Sequence, residues 1–369
     1  MTTGEPVGVA VVGCGTISDT YLAHLTSFPD VRVLCCADLD LDRARAQAAR
    51  YGVPGAGGTA HAISHPGVEL VVNLTIPAAH TDVARHAVAF GKSVWIEKPL
   101  ALDAKEGRDL LAEAARAGVR IGCAPDTVLG AGLQTARRLI SEGAIGEPQT
   151  ALALMQDPGP ERWHPDPEFL FQRGAGPLFD IGPYYLTTLA SLFGPATSVA
   201  ALGRQSRPSR VIGRGPRAGT RFQVGVPTHV ASLLGYAGGA AATVLLSFDS
   251  PLRRHGFVEI TGTEATLAMP DPNRFDGEVR IRPAGRDEWS VIPAAGSTAG
   301  RGIGALDMAR GLRAGVPHRA SGELALHVLD TMEAITRSVA GGTFEPVCTT
   351  FPVPDVLPAG WDPRAATLG

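Results

Sequence analysis

No apolar run in the chain approaches the roughly 18 to 20 residues that a membrane-spanning helix requires. The N-terminus reaches the apolar "VGVAVVGCG" within a few residues, too soon for a basic leader followed by a cleavage site. Cysteine is sparse: Cys14, Cys35, Cys36, Cys123 and Cys348 are odd in number and follow no metal-ligand spacing, which argues against a disulfide framework or a zinc site. His164, His229, His255, His318 and His327 are scattered without an i, i+4 partner, so no metal centre is expected from them. Charge of either sign is not in excess, and a formal net charge of -3 gives no general pull toward nucleic acid or anionic membrane. Internal repeats are absent. What remains, 44% apolar and 19% charged residues over 369 positions, fits a soluble two-domain protein of a reducing cytoplasm.

The first third alternates strand and helix patterns. "VGVAVVG" (7 to 13) and "VRVLCCAD" (31 to 38) read as buried parallel strands, joined by a helical segment from about Ser18 to Ser27. "DRARAQAARYG" (42 to 52) reads as a helix stopped by glycine, and "VELVVNLTIP", "KSVWIEKP" and "VRIGCAP" add three strands, each after a helical pattern. This predicts a doubly wound α/β domain over residues 1–125. After Pro125 strands follow strands, with helices gathered at 131 to 143 and 303 to 339, which predicts an α+β domain built on one large open sheet over residues 126–369. The segment from 203 to 221 carries six arginines and no acid, and reads as a solvated loop between sheet elements. Without interleaved aromatics it is a poor nucleic-acid site.

Chemistry enters at the strand ends. "GCGTIS" follows the first strand: Gly13 permits a tight turn, Gly15 lets the backbone approach a pyrophosphate at a helix N-terminus, and Thr16 and Ile17 complete the turn before Ser18 takes the third small position. Asp38 ends the second strand, where a carboxylate accepts ribose hydroxyls and repels a 2′-phosphate, favouring NAD over NADP; Arg43 and Arg45 on the next helix soften that preference. "NLTIPAAH" places Thr75, Pro77 and His80 at the carboxyl edge of the sheet, where ligands bind in open α/β folds. "EKP" puts Glu97, Lys98 and Pro99 at the same edge, with Pro99 restricting Lys98 to an extended or turn conformation. In "FDIGPYY", Asp180 and Tyr184 lie four apart and share one face if the stretch is helical. Tyr185 reads as core. "ERWHPDPEF" offers Trp163, His164 and Asp166 for a sugar ring, and "PTH" puts His229 at the start of a strand; His255, His318 and His327 read as structural.

The Gly-rich turn, Asp38, "TIPAAH", "EKP" and "GAGPLFDIGPYYL" stand in the order and approximate spacing of the glucose-fructose oxidoreductase, inositol dehydrogenase and rhizopine catabolism family, Gfo/Idh/MocA, which the chain resembles over nearly its whole length. The resemblance implies an N-terminal Rossmann domain, a C-terminal domain with a large, mostly antiparallel open sheet, and NAD(P)-dependent chemistry on sugars, polyols and related carbonyls. It assigns Lys98 to the reacting hydroxyl and Asp180 to the second motif. The departure is at Tyr184, where many members carry histidine. A phenol begins near pKa ~10 and an imidazole near ~6.5. Tyr184 therefore needs a cation such as Lys98 to act as a base, and His164 and His229 are the alternative proton carriers.

The leading expectation is an NAD-dependent sugar or polyol dehydrogenase. One alternative is redox-neutral glycoside cleavage or epimerisation through a transient keto-sugar, and another is a dinucleotide-binding sensor or assembly protein without turnover. A homo-oligomer, dimer or tetramer, is expected through the exposed face of the second sheet.

Overall fold

The computed structural model describes residues 4–368. They form two compact units that interleave along the chain. Unit 1 takes the chain up to Gln134, then Ala295–Leu329, then the residues from Pro354 on; unit 2 takes Thr135–Ala294 and Asp330–Val353. The sequence division at residue 125 follows linear order, whereas the units exchange chain three further times after the first crossing.

Unit 1 opens with β1 (Val7–Val12), α1 (Thr16–Leu25), β2 (Val31–Ala37), α2 (Leu41–Tyr51), β3 (Gly55–Gly57), α3 (Thr59–Ser64), β4 (Leu70–Asn73), α4 (His80–Ala89), β5 (Ser93–Ile96), α5 (Ala104–Ala117) and β6 (Ile121–Cys123). Its six strands run parallel in the order β3-β2-β1-β4-β5-β6, so the topological switch lies between β1 and β4. β1, β4 and β5 are buried at every position, which is why their sequences are continuous apolar runs rather than alternating ones. The helices carry their own stops. The Asp40 carboxylate accepts the N–H groups of Asp42 and Arg43 to start α2, and Gly52 ends it at φ 67. Asp103 caps α5 through the Glu106 N–H, and Gly118 ends it at φ 68. β3 is absent from the sequence reading because Gly-Ala-Gly has no strand propensity; it exists by pairing with β2 at the sheet edge.

After α6 (Ala131–Ser141), unit 2 contains β7 (Pro148–Gln156), α7 (Gly176–Asp180), α8 (Gly182–Phe193), β8 (Ala196–Arg204), β9 (Ser209–Val211), β10 (Arg221–Gln223), β11 (His229–Tyr236), β12 (Ala241–Ser247), β13 (Arg254–Gly262), β14 (Ala265–Met269), β15 (Val279–Pro283) and β16 (Ser290–Ile292). All of these strands but β9 and β10 join β17 (Glu345–Pro346) in a nine-stranded sheet in the order β16-β15-β14-β13-β7-β12-β11-β8-β17. It is antiparallel except where β12 runs alongside β7. One face is covered, with α8 buried from Gly182 to Ser191 and packed on β7. The other alternates outward: Leu233 faces Ala200 and Thr243 across the ladder, Thr243 faces Leu152, and Ala231 faces Leu202 and Leu245. Leu202, Leu233 and Leu152 are 77%, 54% and 39% exposed.

The arginine-rich stretch is not a plain solvated loop. β9 and β10 pair as their own two-stranded sheet, and Arg210 is 4% exposed. Its guanidinium donates to Glu161 at 2.6 Å, donates to Asp249, and lies over the Phe171 ring at 5.1 Å. A buried arginine needs such carboxylates, because an unpaired charge in the interior is costly.

Unit 1 is completed late in the chain. α9 (Ile303–Ala314) starts on the buried Asp126, whose carboxylate accepts the N–H groups of Gly302 at 2.8 Å and Gly304 at 3.1 Å; burial pushes that carboxyl above its ordinary range. Asp30 gathers the Arg310 guanidinium at 2.7 Å, the Thr367 hydroxyl at 2.7 Å and the Thr367 N–H at 2.9 Å. α10 (Gly322–Gly341) holds His327, which is 1% exposed as the sequence predicts, and His318 before it is likewise buried.

Candidate active site

In unit 1 the turn after β1 is built around an absence of side chain. Gly13 sits at φ 95, and a Cβ there would lie 2.6 Å from the Leu74 carbonyl carbon and 2.8 Å from the Thr75 nitrogen, so only glycine fits. Gly15 is the N-cap of α1 and offers no capping side chain, and a Cβ there would meet nothing within 4 Å. An open helix N-terminus of this kind suits an anionic group such as a pyrophosphate. Thr16 is exposed and Ile17 half-buried at its start. The buried Ser18 donates its hydroxyl to the Gly15 carbonyl at 2.6 Å, so a serine in the third small position ties the turn rather than crowding it.

Asp38 accepts the Cys14 N–H at 2.7 Å and the Asp40 N–H at 2.9 Å, which locks the end of β2 to the glycine turn. It is 8% exposed, and Arg43 stands 3.5 Å away. Two backbone donors leave carboxylate lone pairs for ribose hydroxyls. The donor set and open cradle fit a dinucleotide.

At the ends of β4 and β5 the loops are tied to each other. Thr75 donates its hydroxyl to Asn73 at 2.7 Å, and Pro77 starts a short exposed turn. His80 is 1% exposed, with Nδ1 at 2.7 Å from the Pro99 carbonyl and Nε2 at 3.0 Å from the Thr75 carbonyl. Burial holds its imidazole below the ordinary range. His80 thus braces the two loops from inside. Glu97 accepts the Tyr21 hydroxyl at 2.8 Å and the Lys98 N–H at 2.9 Å, fixing the backbone from which the Lys98 side chain extends.

Unit 2 holds a pocket of about 80 Å³ whose polar lining is Asp157, Asp180, His255, Asp271 and Asn273, set among Met155, Trp163, Tyr185 and Phe248. Asp157 is oriented by the Gly159 N–H at 2.8 Å and stands 3.0 Å from His255 Nε2. The helix carrying "FDIGPYY" is broken at Ile181: α7 ends at Asp180 and α8 begins at Gly182, with proline in its first turn. Of the two tyrosines, Tyr185 lines the pocket and also accepts the Gly256 N–H at 2.9 Å; it is 1% exposed, as a core residue would be. Tyr184 is buried on α8 and is not among the residues lining this pocket.

Of the other nominated residues, Trp163 lines the pocket, while His164 and His229 do not. His164 packs against Trp163 and Phe169 and accepts the Asp166 N–H at 3.0 Å. His229 opens β11 opposite Ser247. Sequence reasoning missed Asp157 and set His255 aside as structural, whereas the fold brings both beside Asp180 in one pocket. The available signal was the glycine after His255 at the start of a strand pattern, a mark of a bulge.

Comparison with known proteins accords with both units. Residues 7–124 match the profile described as "Oxidoreductase family, NAD-binding Rossmann fold", and residues 133–268 match the "GFO/IDH/MocA C-terminal domain". Trans-1,2-dihydrobenzene-1,2-diol dehydrogenase of Bos taurus is 25% identical, over 78% of this chain and 80% of that protein. Among solved structures, an NAD binding oxidoreductase from Klebsiella pneumoniae superposes with a TM-score of 0.81 at 24% identity, covering 93% of this chain and 100% of the other. Levoglucosan dehydrogenase in complex with NADH and L-sorbose does so with a TM-score of 0.81 at 22% identity, covering 94% and 100%. The chain belongs to the GFO/IDH/MocA oxidoreductases and carries their NAD-binding Rossmann fold.

Proposed function

We propose that the protein is an NAD-dependent dehydrogenase that oxidises a carbinol carbon of a sugar, polyol or glycoside. The observation that carries this reading is the unit 2 pocket, where the carboxylates Asp157, Asp180 and Asp271 line one cavity with aromatic surface, in a chain whose unit 1 carries the open glycine turn and Asp38. The bovine relative is named for a diol, and levoglucosan dehydrogenase is described with NADH and a sugar, which supports the same class.

Gly13, Gly15, Thr16, Ile17, Asp38, Thr75, Pro77, His80, Glu97 and Lys98 would hold NAD, which when bound accepts a hydride at its nicotinamide. Asp180 accepts a hydrogen bond from the substrate hydroxyl. Lys98 would supply the positive charge that stabilises developing alkoxide, and Tyr184, as the phenolate that such a cation favours, would take the hydroxyl proton and become the phenol. Asp38 favours NAD over NADP, and Arg43 beside it narrows the margin. We also infer a homo-oligomer through the sheet face bearing Leu152, Leu202 and Leu233, since apolar area of this kind is ordinarily covered.

The test is fluorescence titration with NADH and NADPH, followed by a sugar and polyol panel read by NADH accumulation. Tighter NADH binding and net NADH formation are expected, with Lys98→Ala losing at least ~100-fold in kcat/KM. Product release with only catalytic NAD and solvent deuterium uptake would replace the dehydrogenase reading with redox-neutral chemistry. Normal kcat and pH profile in Tyr184→Phe would remove the proton role from Tyr184.

A further inference from the structure

Two large rings exposed to solvent stand on one short segment beside the unit 2 pocket. Trp163 is 53% exposed although it lines the pocket, and Phe169 is 59% exposed and lies outside it. His164 joins them: its ring centroid is 5.5 Å from that of Trp163 and 5.4 Å from that of Phe169, with interplanar angles of 71° and 74°. The three rings make a row that starts on the pocket wall and leads away from it. At about 80 Å³ the pocket itself falls short of the ~300 Å³ at which sites enclosing a whole ligand usually begin. In unit 2 it has room for one end of a ligand, and the row lies beside whatever projects.

The row is bolted at both ends. At the Trp163 end, the Glu161 carboxylate takes the buried Arg210 guanidinium at 2.6 Å, and the Glu161 carbonyl accepts the Gly213 N–H at 2.8 Å. At the Phe169 end, Leu170 and Phe171 are buried; Phe171 packs on Phe222 and on Phe248 of the pocket lining, and its carbonyl accepts the Gly225 N–H at 2.8 Å. Between the ends, Arg217 in the connection from β9 to β10 donates to Asp166 at 2.5 Å and to Glu168. Rings left in water contribute little to the fold, since burial is what makes an aromatic side chain stabilising. Held in place beforehand, they present flat faces on which the apolar face of a sugar ring or an arene stacks at a small ordering cost.

We propose that Trp163, His164 and Phe169 form a subsite for the second ring of a glycoside, an aryl aglycone or a further sugar unit, whose first ring occupies the pocket. Arg217 is a positioning residue that keeps the row in line. The inference rests on the proposed function only in taking this pocket as the substrate's. It is tested by binding without turnover, using calorimetry on NADH-loaded protein with the methyl glycoside, the phenyl glycoside and a disaccharide of each of several hexoses, in both anomers.

For at least one hexose the phenyl glycoside or the disaccharide binds at least ~5-fold more tightly than the methyl glycoside, and which of the two does so identifies the second ring. Phe169→Ala removes most of that advantage, and Phe169→Tyr, which keeps a ring, retains it. Arg217→Ala diminishes it and Arg217→Lys restores part. Equal affinity for one-ring and two-ring glycosides throughout, or no member of the panel binding, overturns the inference. An advantage that survives Phe169→Ala overturns it too, and if that variant also changes oligomeric state by light scattering, the row is a contact between copies instead. A two-ring advantage without NADH formation from NAD sinks the proposed function and leaves the subsite standing, whereas NADH formation with no two-ring advantage does the reverse.

Discussion

The two sheets solve the same problem in opposite ways. In unit 1 every strand runs parallel, and the residues proposed to hold the cofactor lie at the carboxyl ends of its strands, close enough in chain order to be written as short motifs. In unit 2 the sheet is mixed, and its pocket depends on a register irregularity in β13 and on side chains drawn from β7, the loop after it, α7, α8 and the turn after β14. Both sheets carry register shifts, between Val9 and Ala10 in β1 and between Arg254 and Phe257 in β13, and the one in β13 falls among residues that line a pocket.

The comparison is broken most severely at Gly13. Gly13→Ala forces a Cβ into the Leu74 carbonyl and a strained φ, so NADH affinity should fall by ~100-fold or more, read by fluorescence titration. Retained NADH affinity in a folded variant would show that the close approach of the two loops is dispensable. Next in size, Arg210→Met strands the carboxylates of Glu161 and Asp249. Denaturant unfolding should report a loss of about 3–5 kcal/mol, because removing one partner of a buried ion pair leaves uncompensated charge. A loss under ~1 kcal/mol would return the arginine-rich segment to the status of a solvated loop.

A smaller effect sharpens the contrast at Asp30. Burial opposes its ionisation, yet hydrogen bonds from Thr367 and Arg310 outweigh burial and hold its carboxyl below the ordinary range. Its stabilising contribution is full above the unfolded-state pKa of ~3.9 and is lost as pH falls through the lower folded value. Asp30→Asn should cost about 1–3 kcal/mol at neutral pH, and the gap to wild type should close below about pH 4. A gap that stays constant on acidification would locate the effect outside the carboxylate charge.

Legibility follows the same line. β1, β4, β5 and β6 announce themselves because burial at every position demands apolar runs, β2 does so despite the exposed Arg32, and Asp38 is recognisable by its place at a strand end. β3 is invisible, since three small residues gain strand geometry only from the partner. His255 was set aside because a histidine at a strand start looks ordinary until the partner strand shows two residues facing one. Arg210 was hidden by its neighbours: its acceptors Glu161 and Asp249 lie 49 and 39 positions away, and five other arginines around it suggest water. The sequence nominates Asp180, and the fold puts it on the lining of the unit 2 pocket, but which tyrosine shares that pocket depended on the helix break at Ile181.

The interleaving of unit 1 bears on how the protein is made. All strands of its sheet leave the ribosome before unit 2 begins, yet α9, which starts on Asp126, and the Thr367 partner of Asp30 emerge only near the end. Synthesis proceeds at roughly 5–20 residues per second, and domains tend to fold as they appear. The nascent dinucleotide half therefore waits, sheet formed but unsealed, while the whole of residues 135–294 is threaded between its pieces. Its exposed apolar surface during that interval is the stage at which chaperone dependence and aggregation of this chain would be decided.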